Sequence, residues 1–107
     1  MSISAGAWQA VVLDFSEDDD LTSEVNLSGD CDFVQIIIPT LDSCTVSLQV
    51  ARDSGGTFYT LGSSQTTGSG THNYATVFNL GGYQFIKIVT SAAQTADRTF
   101  YVRGRKY

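Results

Sequence analysis

The sequence predicts an all-β protein: an antiparallel β-sandwich of about eight short strands, in Ig-like or jelly-roll topology. Apolar and polar residues alternate with a period of two in most apolar runs, as they do in half-buried strands. Short clusters of Gly, Ser and Asp separate these runs at fairly even intervals. No window of a dozen residues spaces its apolar positions as a helix would.

The clearest strand covers residues 45–50, where Val46, Leu48 and Val50 share one face and polar residues occupy the other. The same alternation places Phe100 and Val102 on an inward face. In the first strand it points three apolar side chains inward, namely Val11, Leu13 and Phe15. The runs that predict strands cover residues 9–15, 24–27, 33–38, 45–50, 74–80, 83–89 and 99–103.

Residues 33–38 are apolar on both faces, which predicts a strand in the middle of a sheet. Pro39 is expected to end it, since proline has no amide hydrogen to donate. Turn signals lie at residues 28–30, 53–56, 68–70 and 81–82. Two loops are expected as well: a mobile glycine-rich loop at residues 62–71, and residues 91–97 with at most one helical turn.

The chain has 107 residues, which predicts a single domain over residues 1–107. Its net charge of −5 disfavours binding to nucleic acid or to an anionic membrane. Residues 1–53 carry a net charge of −9, whereas residues 54–107 carry +4. Such asymmetry can orient copies in an assembly. No apolar run reaches the roughly 18 residues of a membrane span, and the first residues lack the features of a secretory signal.

The two cysteines, Cys31 and Cys44, fit neither a zinc site nor a dense disulfide framework. They could meet across neighbouring strands and form a bridge. Without a secretory signal, two buried thiols are the favoured interpretation.

The sequence argues against an enzyme. His72 is the single histidine, and no nucleophile turn accompanies it, so we interpret it as a solvated loop residue. The chain also lacks the glycine-rich phosphate and dinucleotide loops. We therefore expect no catalytic residue and no cofactor.

An acidic run, residues 17–20, raises the question of a calcium site, with Asp18 and Asp20 as the candidate ligands. Consecutive carboxylates in an extended segment point alternately away from each other, and the spaced glycine of an EF-hand loop is absent. We expect a solvated acidic turn that holds no metal.

The aromatic residues offer an alternative function, because flat rings complement the apolar faces of sugars and a sandwich can display several of them on one sheet. Most of them are expected to serve as core residues or cross-strand pairs. The set comprises Trp8, Tyr59, Tyr74, Tyr83, Tyr101 and Tyr107.

Residues 46–61 contain a strand that leads into the turn Asp53-Ser54-Gly55-Gly56, and residues 82–91 contain a Tyr-x-x-Ile-x-Ile strand. Together with residues 97–104, these stretches resemble small all-β virion proteins of tailed bacteriophages. The resemblance implies a structural role in capsid decoration or in the neck or tail, with assembly in the host cytoplasm and no catalytic residue. Discoidin-like sugar-binding sandwiches are similar too, which keeps a glycan-binding module for host attachment as the alternative.

The C-terminal residues are the predicted interface. Arg103, Arg105 and Lys106 carry three of the six basic charges, and Tyr107 adds an aromatic anchor. We expect them to dock on an acidic surface of another copy or of the capsid protein. A homo-oligomer is therefore predicted, with a trimer favoured because capsid lattices offer threefold sites.

Overall fold

The computed structural model describes residues 4–5, 7–62, 67 and 70–106, and these form seven strands with no helix among them. The strands are β1 (Ser4–Ala5), β2 (Gln9–Leu13), β3 (Val25–Cys44), β4 (Val46–Ala51), β5 (Tyr59–Thr60), β6 (Gly70–Thr90) and β7 (Arg98–Lys106). All recorded strand pairs are antiparallel, which confirms the predicted all-β class. No helix in the described part of the chain could cross a membrane.

The strands follow the order β1-β7-β3-β6-β4-β5, and β2 also pairs with β7. Residues 33–37 of β3 lie between β7 and β6, as their apolar character on both faces predicts. The sequence alone left this order open.

Two strands are much longer than predicted, because β3 spans 20 residues and β6 spans 21. The predicted turns at residues 28–30 and 81–82 are bulges inside these strands. Ser28 and Gly29 have positive φ, as do Gly81 and Gly82, and the β3–β6 register shifts between Asn26 and Cys31. The backbone therefore bends at these points, and the two strands stay paired on both sides of the bend.

The bend folds one continuous sheet into two layers. The first layer holds β2, β7 and the adjoining halves of β3 and β6, and the second holds β4, β5 and the remaining halves. Alternate side chains from both layers fill the space between them. The fully buried ones include Leu13, Val34, Ile36, Ile38, Val46, Leu48, Ile86, Ile88, Phe100 and Val102. The inward positions predicted for Val11 and Leu13 in β2, and those predicted in β4 and β7, are thus confirmed.

Two expectations about strand ends are wrong. β3 continues past Pro39 to Cys44, because its pairing with β7 ends at Ile37 and a proline beyond that point can face an unpaired side. β2 ends at Leu13, and Phe15, which was expected inward, is 44% exposed in the turn that follows.

Two of the predicted loops, at residues 53–56 and 91–97, agree with the sequence. Gly55 has a φ of 71°, and the Gly56 amide donates to the Asp53 carbonyl at 3.0 Å, which closes the predicted turn. Residues 91–97 contain no helix. Most of the predicted mobile loop lies outside the described residues, and residues 70 and 71 already belong to β6.

Both cysteines are buried thiols, as predicted. The Cys31 thiol donates to the Gly29 carbonyl at 3.3 Å, inside the bulge of β3. Burial raises the pKa of the Cys44 thiol, so it stays protonated and unreactive.

Candidate functional site

The first layer exposes an unusually apolar outer face. Ile37 lies opposite Tyr101 on one side and Ala75 on the other, and Tyr101 lies opposite Ala10. Directly opposite residues in antiparallel strands share a face. All four side chains are exposed, so they form an apolar row across four strands.

A second row runs beside it and carries a charge. Gln35 lies opposite Arg103 and Val77, and the Arg103 guanidinium stands 4.7 Å from the centre of the Trp8 ring. Arg103 Nε donates to Gln35 Oε1 at 2.9 Å. These contacts fix the guanidinium, while its terminal nitrogens have no hydrogen-bond acceptor among the described residues.

We define the outer face as these two rows together with Val12. Five of its residues are between 43 and 54% exposed: Trp8, Val12, Ile37, Val77 and Tyr101. Together they present roughly 450 Å² of mostly apolar surface, in the middle of the range for the largest patch on a monomer, a patch that is often functional. A shallow cleft of about 310 Å³ opens here, lined by Trp8, Gln35, Ile36, Ile37, Ala75, Thr76 and Val77.

A second feature is the acidic turn, residues 14–20, which follows β2. The Asp14 carboxylate accepts hydrogen bonds from the Ser16 hydroxyl at 2.6 Å and the Ser16 amide at 3.1 Å, and they lower the pKa of Asp14. Carboxylate oxygens of Asp18, Asp19 and Asp20 lie within 4.8 Å of one another. The expectation that neighbouring carboxylates point apart is wrong for these three, since the segment is bent rather than extended.

The crowding of carboxylates has an electrostatic effect. A hydrogen bond with Asp18 and repulsion from Asp18 and Asp19 raise the pKa of Asp20. Three exposed carboxylates fall short of the six to eight oxygens that Ca²⁺ takes, and the absence of a metal there stays a prediction.

Buried Gln94 anchors the acidic turn to the sandwich. The backbone amide of Gln94 donates to the Asp19 carbonyl at 2.8 Å. Its side-chain oxygen accepts hydrogen bonds from the Asp42 backbone amide and from Arg98 Nε. The Asp42 carboxylate accepts from the Thr95 hydroxyl and amide and pairs with Arg98, which lowers the pKa of Asp42. No pattern in the sequence predicts this network, because Gln94 lies in an ordinary polar loop.

The predicted C-terminal interface is part of the fold rather than a tail. β7 extends to Lys106, and Gly104 packs so closely on Cys31 and Leu27 that a Cβ there would collide with the Cys31 sulfur. Arg105 is half-buried, and its Nε has no hydrogen-bond partner among the described residues. The Lys106 side chain and Tyr107 lie outside the part of the chain that the structure describes.

The other residues singled out from the sequence are dispersed. His72 lies in β6, opposite Thr40 of β3. The His72 side chain is outside the described part of the structure. Tyr59 and Tyr83 line a separate cleft of about 250 Å³ in the second layer, away from Trp8 and Tyr101. The described aromatic residues therefore do not form one platform.

Comparison with known proteins shows the fold. No protein family and no curated protein sequence matches the chain. The SPBc2 prophage-derived protein YomS is similar in structure, with a TM-score of 0.56 and 14% identity over 94% of this chain and 96% of that one. The family 32 carbohydrate-binding module of C. perfringens NanJ, solved with galactose, has a TM-score of 0.53 and 10% identity over 95% and 92%.

Proposed function

We propose that this chain is a structural protein of a bacteriophage virion, which decorates or stabilises the capsid or forms part of the neck or tail. The observation that carries the proposal is the outer face. A solvated sheet face is ordinarily polar, whereas this one exposes two aromatic and three aliphatic side chains around a fixed arginine. Aromatic residues and arginine are the types enriched where proteins meet.

In this proposal the chain has no catalytic role and needs no cofactor. It assembles in the host cytoplasm and acts as part of the virion. Its partners are copies of the chain and another virion protein, such as the major capsid protein. The similarity in fold to a prophage-derived protein supports this, as does the resemblance of residues 46–61, 82–91 and 97–104 to phage virion proteins.

The test is to purify particles and measure by mass spectrometry whether the chain is present in fixed stoichiometry. Particles that lack the chain should recapture the purified protein on co-sedimentation. Tyr101→Ser should reduce recapture by about tenfold or more, because it removes an exposed aromatic contact. Gln49→Ser, on the outer side of the second layer, is the matched control. Absence from particles would contradict the proposal.

A second candidate function is glycan binding by a host-attachment module. The observation that favours it is Trp8 beside Gln35 and Arg103 at the cleft of about 310 Å³. A ring for stacking next to polar groups is what a sugar needs. The similarity in fold to a carbohydrate-binding module solved with galactose agrees with it.

A glycan array separates the two functions. For a glycan-binding module, the free protein should bind a sugar and lose that binding with Trp8→Ala. For a virion structural protein, the array should be blank while particles capture the protein.

A further inference from the structure

Phe15 is a large apolar side chain that lies outside the hydrophobic core. It is 44% exposed in the acidic turn, although the alternation in β2 predicts it inward. Its amide donates to an Asp97 carboxylate oxygen at 3.3 Å, which holds its backbone in place. After Ser16 come Glu17 and three aspartates, so the turn presents a phenyl ring close in sequence to a cluster of carboxylates.

No ion pair neutralises these carboxylates in the described part of the chain. Lys87 lines a cleft together with Glu17 and Asp18, but it forms no ion pair with them. Arg98 is paired with Asp42, and the Lys87 ammonium stands 4.6 Å from the centre of the Phe58 ring. A cation from outside would relieve the repulsion among three carboxylates held within 4.8 Å.

The outer face offers the complementary features. Arg103 is its charged residue, and the guanidinium is fixed by Trp8 and Gln35 with its terminal nitrogens without a hydrogen-bond acceptor among the described residues. A guanidinium fork binds a carboxylate with two parallel hydrogen bonds. The apolar cleft of about 310 Å³ beside it has room for a phenyl ring.

The two features lie at opposite ends of the same strand pair. Leu13, next to the acidic turn, is opposite Arg98, whereas Gln9, next to Trp8, is opposite Val102. β2 alone spans about 17 Å. The acidic turn therefore cannot fold back onto the cleft of its own molecule.

We propose that the acidic turn of one copy docks on the outer face of a second copy, with Phe15 in the cleft and a carboxylate of residues 17–20 on Arg103. This deepens the proposed function, on which it rests, by naming the two patches through which copies of the chain contact each other. The contact joins two different patches. It closes as a reciprocal dimer or as a ring, and it grows into an open filament where the rotation does not close. The trimer expected from the sequence is one such ring.

The area supports this choice of partner. A stable interface buries about 800 Å² on each side, and the exposed apolar residues of the outer face supply roughly half of that before any polar contact is counted. The contact also pairs opposite charges, so it should weaken as salt is raised from about 50 to 500 mM.

The experiment measures self-association by sedimentation velocity and light scattering, each with and without a chelator. Arg103→Glu and the double variant Asp18→Arg with Asp19→Arg should each raise the Kd by about tenfold or more. Phe15→Ser should act in the same direction without changing any charge. Arg52→Glu and Asp53→Arg, both in the exposed turn after β4, are the matched controls and should leave the Kd unchanged.

Mixing the variants gives the sharpest result. Arg103→Glu protein keeps a native acidic turn, and the aspartate variant keeps a native outer face, so an equimolar mixture should regain association that neither shows alone. A misfolded variant could not regain association in the mixture, so the mixture also tests whether both variants fold. Circular dichroism checks the folding of each variant separately.

Three results would overturn the inference: a wild-type chain that stays monomeric at about 1 mM, variants that match the controls, or association that disappears with chelator. In the last case a bridging cation rather than Arg103 would neutralise the acids. Particle capture distinguishes the two proposals. A monomer that is still present in virions leaves the proposed function standing, whereas an oligomer absent from particles leaves the self-contact standing.

Discussion

The two layers of the sandwich differ most on their outward sides. The outward positions of the second layer include the polar Ser47, Gln49, Thr60 and Lys87, and Val89 beside them is only partly exposed. The exposed tyrosines of this layer, Tyr59 and Tyr83, lie at its separate cleft. The first layer presents the aromatic and aliphatic rows of the outer face. Both layers are antiparallel, and both contain parts of β3 and β6.

Because the two layers share strands and a core, the apolar outer face is not required by the architecture. The second layer shows that a more polar surface serves the same fold. An exposed apolar face carries a cost in solubility, and the concentration of apolar side chains on the first layer points to a contact there. The comparison therefore separates residues that hold the fold from residues that serve a partner.

The largest effect we expect comes from testing the two faces of β3 at adjacent residues. Ile36 is fully buried and Ile37 is exposed, although both are isoleucine. Ile36→Ala should lower the free energy of unfolding by about 2–5 kcal/mol, through lost burial and a cavity. Ile37→Ala should lower it by less than about 1 kcal/mol. Urea unfolding of both variants measures the difference, and equal losses would contradict the two-face comparison.

The next effect concerns the end of β7, which joins the outer face to the bulge of β3. Gly104→Val should lower the free energy of unfolding by about 1–3 kcal/mol, because the new side chain meets the Cys31 sulfur. Gly70→Val, where a Cβ meets nothing within 4 Å, is the control. Adding Cys31→Ala should return part of the loss, and a double variant that is merely additive would count against the contact.

A smaller effect is expected at the buried glutamine. Gln94→Ala leaves the Asp42 amide without its acceptor and should lower the free energy of unfolding by about 1–2 kcal/mol. Gln49→Ala, on the polar side of the second layer, should change little. Thermal melts test the stability, and hydrogen exchange at Gly104 and at residues 14–20 tests the location. Faster exchange confined to the acidic turn is the expected pattern.

The smallest effect is the response to acid. Asp14, Glu24 and Asp42 have lowered pKa values, because each carboxylate accepts hydrogen bonds first of all from a serine or threonine hydroxyl. Their contribution is present above the unfolded pKa and is lost as pH falls through and below about 4. The raised pKa of Asp20 acts with the opposite sign. The urea midpoint should drop between pH 5 and 2.5, and less so for Asp42→Asn.

The sequence predicts the core well, because alternation is a local property. Val46, Leu48 and Val50 are buried as expected, and so are Phe100 and Val102. It does not predict the bulges. Gly81 and Gly82 indicate positive φ angles, but such angles occur both in a turn that reverses the chain and in a bend within a strand. Which one forms depends on the partner strand, far away in sequence.

The candidate site was only partly predictable for a related reason. Trp8, Tyr101 and Arg103 stand out by residue type, whereas Ile37 and Val77 read as core residues. Their grouping on one exposed face follows from the register among β2, β7, β3 and β6. No local pattern contains that register.

The long β3 and β6 strands also have a consequence for how the chain reaches its fold. They pair along both layers, although β4 and β5 lie between them in the chain, so Cys44 meets Gly70 and Val25 meets Ile86. Such distant pairing must form before most of the core is closed, which places folding in the slow range of about milliseconds to seconds. Both layers contain parts of β3 and β6, so neither layer can fold as an independent unit. The chain should unfold in one cooperative step, without a half-folded intermediate.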